Sequence, residues 1–262
     1  MAGFLGSLTG LGGGVIIIPL LTLVFHVDIR YAIGAALLAS IATSSGAASA
    51  YVKEGITNIR LGMFLEIATT IGAVIGAFIA IYMPTNAIAV IFGVVLIFSA
   101  AMTVRKKHEA KLTKGSKLSE KLKLNSTYPV NGEKVSYQLT NVAGGFSLMT
   151  LAGVLSGLLG IGSGSLKVLA MDSTMKIPFK VSTTTSNFMI GVTAAASAVV
   201  YLQRGYMDPG IAFPVVLGVL AGALTGAKIL PKINPKILRI IFAVAITAVA
   251  IEMIINGINH KF

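Results

Sequence analysis

Gly10-Leu-Gly-Gly-Gly14 interrupts an uncharged stretch that runs from Met1 to Phe25, and 150 residues later Gly160-Ile-Gly-Ser-Gly164 interrupts a second one. Glycine weakens a helix by about 1 kcal/mol per residue relative to alanine. Three or four glycines within five residues therefore predict that each of these apolar segments is a helix broken at its glycine run.

The composition of the whole chain is that of a membrane protein. Of its 262 residues, 55% are hydrophobic and only 11% are charged, and the mean hydropathy is +0.87. Soluble domains average about 45–50% apolar and 25% charged residues. Since a span needs about 20 apolar residues, the sequence predicts an all-α integral membrane protein with about eight transmembrane segments. The predicted segments are 2–25, 31–52, 61–83, 86–104, 140–171, 180–203, 209–230 and 237–258.

The residue pattern of the first half of the chain recurs in the second half. An ungapped offset of 150 residues pairs the glycine runs, and it also pairs Tyr51 and Gly55 with Tyr201 and Gly205. Internal duplication of this kind is common in secondary transporters. The predicted domains are a first four-segment repeat at 1–104, a basic polar linker at 105–138 and a second four-segment repeat at 139–262.

The linker carries much of the charge of the chain. Nine of the 21 basic residues, against three acidic ones, fall between residues 105 and 138. Lys and Arg residues in loops beside a membrane set the orientation of the protein and contact anionic lipid. The net charge of +12 therefore indicates a lipid bilayer as partner and not a nucleic acid.

The orientation of the chain in the membrane stays open. The linker favours a cytoplasmic position for itself, and four crossings per repeat would place both termini on the same side. The loops of the second repeat then favour the reverse orientation. Their basic residues are Lys176, Lys180, Lys232, Lys236 and Arg239.

The glycine runs are candidates for an anion site. A broken helix inside the membrane leaves N–H groups without partners, which is tolerated only where they line a cavity or meet a ligand. The alternative is a simple packing face, because Gly6, Gly10 and Gly14 are spaced by four. Gly12 and Gly13 lie off that face, which favours the break.

Lys167 follows the second glycine run by three residues, where the first repeat has Ile17. A lysine at membrane depth costs about 2.5–3.5 kcal/mol on insertion scales. It either contacts an anionic substrate or extends its amine to the membrane surface. The asymmetry between the repeats suggests one cationic group serving one anion.

Glu66 is the only charged residue in the stretch 61–104. A buried carboxyl can carry a proton across the membrane, which makes Glu66 the candidate for a coupling group. A position near the membrane edge beside Arg60 is the alternative.

The tract Ser182-Thr-Thr-Thr-Ser-Asn187 offers neutral hydrogen-bond donors. Most hydroxyls in membrane helices bond to their own helix backbone. The amide of Asn187 cannot be satisfied so simply and would seek a ligand or another helix. The corresponding region of the first repeat contributes Thr43 and Ser44.

Catalytic and metal-binding patterns are missing from the sequence. It has no cysteine, its three histidines lie outside the predicted segments, and no His-Glu or paired-carboxylate spacing recurs. We therefore expect neither an enzyme nor a resident metal or other cofactor.

The motifs taken together resemble one known family. Gly10-Leu-Gly-Gly-Gly-Val-Ile-Ile-Ile-Pro19 and Gly157-Leu-Leu-Gly-Ile-Gly-Ser-Gly164 are similar to the repeated signature of the sulfite exporter TauE/SafE family. The Ser/Thr tract and the turn Gly205-Tyr-Met-Asp-Pro209 also resemble that family, although Ser163 stands where a glycine is usual. The resemblance implies a secondary transporter in the inner membrane that moves sulfite, sulfoacetate or related organosulfonates outward.

The sequence thus predicts an exporter of small sulfur-containing anions in the cytoplasmic membrane, with proton coupling as one possibility. A passive anion channel and a carrier of another anion, such as a carboxylate, stay open as alternatives. The oligomeric state stays open as well, with a homodimer as one alternative. The residues assigned to the anion site are Gly10, Gly12, Gly13, Gly14, Thr43, Ser44, Gly160, Gly162, Ser163, Gly164, Lys167, Thr185, Ser186 and Asn187.

Overall fold

The computed structural model describes the chain over residues 13–53, 55–104, 115–130, 133–229 and 235–262. Most of these residues are helical, as the sequence predicts. The helices are α1 (Gly14–Pro19, continued by a π-helical turn Leu20–Val24), α2 (Ile29–Lys53), α3 (Ile59–Tyr82), α4 (Thr85–Val104), α5 (Lys117–Lys121), α6 (Val142–Leu159), α7 (Gly164–Leu169, continued by a π-helical turn Ala170–Thr174), α8 (Phe179–Gln203), α9 (Pro209–Ile229) and α10 (Pro235–Ile258). The two strands are β1 (Ser126–Val130) and β2 (Glu133–Tyr137), paired antiparallel.

Several of these helices are suited to a bilayer. Within the described residues, α3, α6, α8 and the part Thr85–Met102 of α4 are long and apolar enough to cross a membrane. The described parts of α2, α9 and α10 are shorter apolar helices. These properties support the predicted class, an all-α multi-pass membrane protein.

The predicted segment 140–171 is not a single span. Helix α6 ends at Leu159, and its 18 residues already cover about 27 Å, close to the thickness of a bilayer core. The chain then turns back, because the backbone N–H of Thr140 donates to the carbonyl oxygen of Met175 at 3.1 Å. The end of the π-helical turn after α7 therefore lies beside the start of α6. Residues 142–174 form a helical hairpin whose two ends are at one face.

Helices α2 and α8 pack side by side in opposite directions. Gly34, near the start of α2, lies against the backbone of Tyr206, just beyond the end of α8. Farther along both helices, the Ser44 hydroxyl donates to the carbonyl oxygen of Asn187 at 2.7 Å. These two contacts fix the antiparallel arrangement at the centre of the molecule.

The linker packs at one end of the helices, which we call the linker face. The Asn58 side chain accepts from the N–H of Leu61 and so caps α3, while its amide donates to the carbonyl of Leu124 at 2.9 Å and to the hydroxyl of Tyr137 at 2.8 Å. Burial raises the pKa of Tyr137 to about 12. The end of the linker thus places Tyr137 in a buried cluster together with Leu139, the first residue after the linker.

The opposite face is formed by the other ends of the same helices. The guanidinium of Arg30, at the start of α2, donates to the carbonyl of Met83, just after α3, at 2.7 Å. The C-terminal end of the chain is there too, since the N–H of Phe262 donates to the side chain of Asn86 at 3.1 Å. Asn86 lies at the start of α4.

Candidate functional site

The turn between α6 and α7 forms the tip of the hairpin. Gly160 and Gly162 have φ angles of 66° and 68°, in the left-handed region that glycine adopts without cost. Ser163 adopts a φ of 42°, a conformation that costs a residue with a side chain about 1–2 kcal/mol. The second glycine run is therefore required by the turn as well as by packing.

The two glycine runs meet at this tip. A Cβ atom on Gly14, at the start of α1, would lie 2.6 Å from the carbonyl oxygen of Gly160. Such close approach of two backbones is possible only with glycine on one side. Gly14 thus lies at the junction of the two glycine runs, next to Gly13 in the chain, whereas Gly10 and Gly12 are outside the described residues.

The polar turn of α8 packs against the tip. The Ser186 hydroxyl donates to the carbonyl oxygen of Gly164 at 3.2 Å and joins α8 to the start of α7. The Ser44 hydroxyl of α2 accepts from the N–H of Gly191 at 2.9 Å, in addition to its bond to the carbonyl of Asn187. Two of the predicted neutral residues therefore hold three helices together around the junction.

Two buried polar atoms at the junction have no hydrogen-bond partner. They are the amide nitrogen Nδ2 of Asn187 and the hydroxyl of Ser163. Buried polar groups are nearly always paired, so an unpaired donor in an apolar interior is a candidate ligand contact. Asn187 follows Ser186 in the chain and Ser163 precedes Gly164. Because Ser186 bonds to Gly164, the two unpaired groups lie on backbone segments that are in contact.

Other predicted residues have structural partners. The Thr43 hydroxyl donates to the carbonyl of Ala39 at 3.0 Å, within its own helix. The Thr185 hydroxyl accepts from the backbone N–H of Asn58 at 3.1 Å, on the side of the linker face. The Thr43 proton is therefore used within its own helix, and Thr185 is placed toward the linker face rather than at the junction.

Lys167 and Glu66 come together at a second cluster, which we call the charge bridge: Lys167, Thr193 and Glu66. The ammonium of Lys167 donates to the Thr193 hydroxyl at 2.5 Å, and that hydroxyl donates to Oε1 of Glu66 at 2.6 Å. Lys167 and Thr193 are fully buried, and Glu66 is 7% exposed. The structure therefore supports neither the amine at the membrane surface nor the carboxylate at the membrane edge.

Thr193 is the member of the charge bridge that sequence reasoning missed. It corresponds to Thr43 at the offset of 150 residues, and only Thr43 was among the predicted site residues. The isolated charges in the apolar segments were a better signal for the charge bridge than this correspondence. Lys167 is the only charge in residues 135–171, and Glu66 is the only charge in residues 61–104, and buried charges need a partner.

The second carboxylate oxygen of Glu66, Oε2, is buried without a partner. The first oxygen also accepts from the Thr70 hydroxyl at 3.3 Å. The site therefore has one carboxylate oxygen that is fully bonded and one that can take a proton without breaking a hydrogen bond.

Comparison with known proteins identifies a family and several relatives. The family model described as sulfite exporter TauE/SafE matches residues 1–253. The probable membrane transporter protein YunE of Bacillus subtilis is 31% identical over 225 residues, which cover 83% of this chain and 81% of the relative. YdhB of the same organism, also named a probable membrane transporter protein, is 26% identical over 220 residues, covering 84% and 82%.

No solved structure matches the chain. The family match and the names of these relatives point to a membrane transporter rather than an enzyme. The resemblance seen in the glycine runs is confirmed, and the chain belongs to the sulfite exporter TauE/SafE family.

Proposed function

We propose that the protein is a secondary transporter that exports small sulfur-containing anions, such as sulfite or sulfoacetate, across the cytoplasmic membrane. The main support for this proposal is the junction of the glycine runs, where the Asn187 amide and the Ser163 hydroxyl are buried without hydrogen-bond partners. Donors of this kind would bind an oxyanion that enters between the hairpin tip and α8. The family description supports a sulfur oxyanion as substrate.

The proposed architecture has two repeats related by the offset of 150 residues. Helices α2 and α8 begin and end 150 residues apart, and so do α1 and α7 with their π-helical turns. The hairpin at the start of the second repeat returns to its own side and does not cross the membrane. The three helices that follow it, α8, α9 and α10, then give the second repeat an odd number of crossings. We infer that the repeats have inverted orientations, as in many transporters whose sites lie at the repeat interface.

A transport assay tests the substrate site. In liposomes containing the purified protein, Asn187→Ala is expected to raise the half-saturating concentration of labelled sulfite or sulfoacetate about tenfold or more, because a hydrogen bond to an anion is lost. The matched control is Asn259→Ala, at an exposed residue just after α10.

Two outcomes would contradict the proposal. Wild-type protein that moves no sulfur oxyanion would exclude the substrate class, and transport of a carboxylate in the same screen would favour the alternative. Flux that does not saturate with anion concentration would favour a passive channel, which is the second candidate because the unpaired donors alone do not require a carrier.

The hairpin also bears on the orientation of the chain. Since residues 142–174 return to the linker face, Lys176 and Lys180 lie at the same face as the linker. The start of α10, which carries Lys236, lies toward that face as well, because the other end of α10 is at the opposite face. Among the residues that the structure describes, the basic residues toward the opposite face are Arg30, Arg204 and Lys261. From the positive-inside rule we infer that the linker face is cytoplasmic.

Cysteine labelling tests this orientation, and the absence of natural cysteines makes it direct. In intact bacterial cells, a membrane-impermeant maleimide is expected to label Asn259→Cys, while Ser136→Cys in β2 becomes labelled only after the membrane is permeabilised. Both positions are exposed. Equal labelling of the two in intact cells would contradict an odd number of crossings, and the reverse pattern would place the linker outside.

A further inference from the structure

The charge bridge joins two oppositely charged groups through one hydroxyl. Thr193 accepts from Lys167 and has a single proton, which is directed to Oε1 of Glu66 at 2.6 Å, with the carbonyl of Met189 at 3.0 Å as the other acceptor. The three residues lie on α7, α8 and α3. The bridge therefore connects the short arm of the hairpin, which carries the glycine turn, to two long helices.

Among the described residues, Lys167 is the charged group that acts on Glu66. Helix α6, which packs along α3, has no charged residue, and the only one on α8 is Lys180, exposed in its first turn. The hairpin arm carries Lys167 and, toward the linker face, Asp172. Among the described elements packed against Glu66, Lys167 is therefore the one cation close enough to compensate its carboxylate.

Charge balance then links an anion to a proton. In the empty state the ammonium and the carboxylate neutralise each other. If an anion takes the ammonium as its partner, the carboxylate of Glu66 is left uncompensated in a buried site, which is strongly unfavourable. A proton on Oε2, which has no partner, would neutralise it.

We propose that Lys167 and Glu66 exchange partners during transport: one monovalent anion, such as hydrogensulfite, binds Lys167 while one proton binds Glu66, and Thr193 holds the two groups together when the site is empty. This inference rests on the proposed function and specifies its coupling. The loaded and empty states both carry no net charge at the bridge. Anion movement is therefore electroneutral, with one proton per anion in the same direction, and its direction follows the combined anion and pH gradients.

The decisive variant is Glu66→Gln, which cannot release or take up a proton. The loaded form of this variant stays neutral, while its empty form has an unpaired ammonium and cannot return across the membrane. Net sulfite flux driven by a pH gradient is expected to fall about tenfold or more, whereas exchange of labelled for unlabelled sulfite stays within about fivefold of wild type. The matched control is Glu252→Gln, the same change at an exposed residue of α10.

Thr193 is tested as a positioning residue. Thr193→Val removes the hydroxyl but keeps the shape, so net flux should fall while Thr193→Ser restores it and also restores proton uptake measured with a pH dye inside the liposomes. Thr247→Val is the control, because the Thr247 hydroxyl bonds only within its own helix, to Ala243 at 2.7 Å.

The outcomes separate this inference from the proposed function. Wild-type flux that responds to a membrane potential and not to a pH gradient overturns the partner exchange and leaves the transporter intact. Unchanged pH-driven flux in Glu66→Gln also overturns the partner exchange and leaves the transporter intact. Wild-type protein that neither exchanges nor moves any anion overturns both. Loss of net flux with retained exchange in Glu66→Gln, but not in Glu252→Gln, supports the proposal.

Discussion

Replacing Gly157 with alanine is expected to destabilise the protein by about 3 kcal/mol, at the upper end of the range for overpacked sites. A Cβ atom at Gly157 would overlap the backbone carbonyl oxygen of Ala73. Gly72, Gly76 and Gly153 contact the facing backbone in the same way, so α3 and α6 approach each other along a seam of glycines. A clash between two backbones cannot be relieved by a change of rotamer.

The measurement is the temperature at which the detergent-solubilised protein leaves the monodisperse peak in size-exclusion chromatography. Gly218→Ala on α9 is the matched control, since a Cβ there meets nothing within 4 Å. That control is expected to be unchanged or slightly stabilised, by about 0.5–1 kcal/mol, because alanine favours a helix. If both variants were equally stable, the close approach of α3 and α6 would be wrong.

Helix positions could be predicted from the sequence because apolar length and turn residues decide them locally. The predicted segments 31–52 and 180–203 correspond to Ile29–Lys53 and Phe179–Gln203. Gly55 and Gly205, which follow these helices, both have positive φ angles, as the matching turns suggested. Local chemistry was sufficient for these elements.

The hairpin could not be predicted in the same way. Both arms are apolar, and hydropathy along residues 140–171 is the same whether the chain crosses the membrane or turns back. Only contacts between distant residues, such as Thr140 with Met175, distinguish the two. The conflict over orientation has the same source, because counting residues 140–171 as one crossing or as a hairpin reverses the side assigned to every loop that follows.

The candidate site was predicted in its parts but not in its pairing. Lys167 and Glu66 were each selected for being isolated charges, yet they were given separate roles as anion contact and coupling group. Their connection runs through Thr193, which looks like an ordinary helix hydroxyl in the sequence. Pairing across three helices is a tertiary property, and no local pattern encodes it.

Lys167→Met is the second variant with a large expected effect, a loss of about 3–5 kcal/mol in the free energy of unfolding. Methionine fills a similar volume, so the loss would come from leaving the Glu66 carboxylate without its cation and the Thr193 hydroxyl without its donor. The same size-exclusion measurement applies. Lys180→Met is the control, because Lys180 is exposed and its change should have little effect.

The double variant Lys167→Met/Glu66→Gln decides whether charge is the cause. Removing both charges leaves two neutral side chains that fit the same space, so most of the lost stability should return, as it does when a buried ion pair is replaced as a unit. A double variant as unstable as Lys167→Met alone would mean that packing of the lysine stem is what matters. A stable single variant would mean that Glu66 is already neutral in the empty protein, and the anion would then meet a lysine with no competing partner.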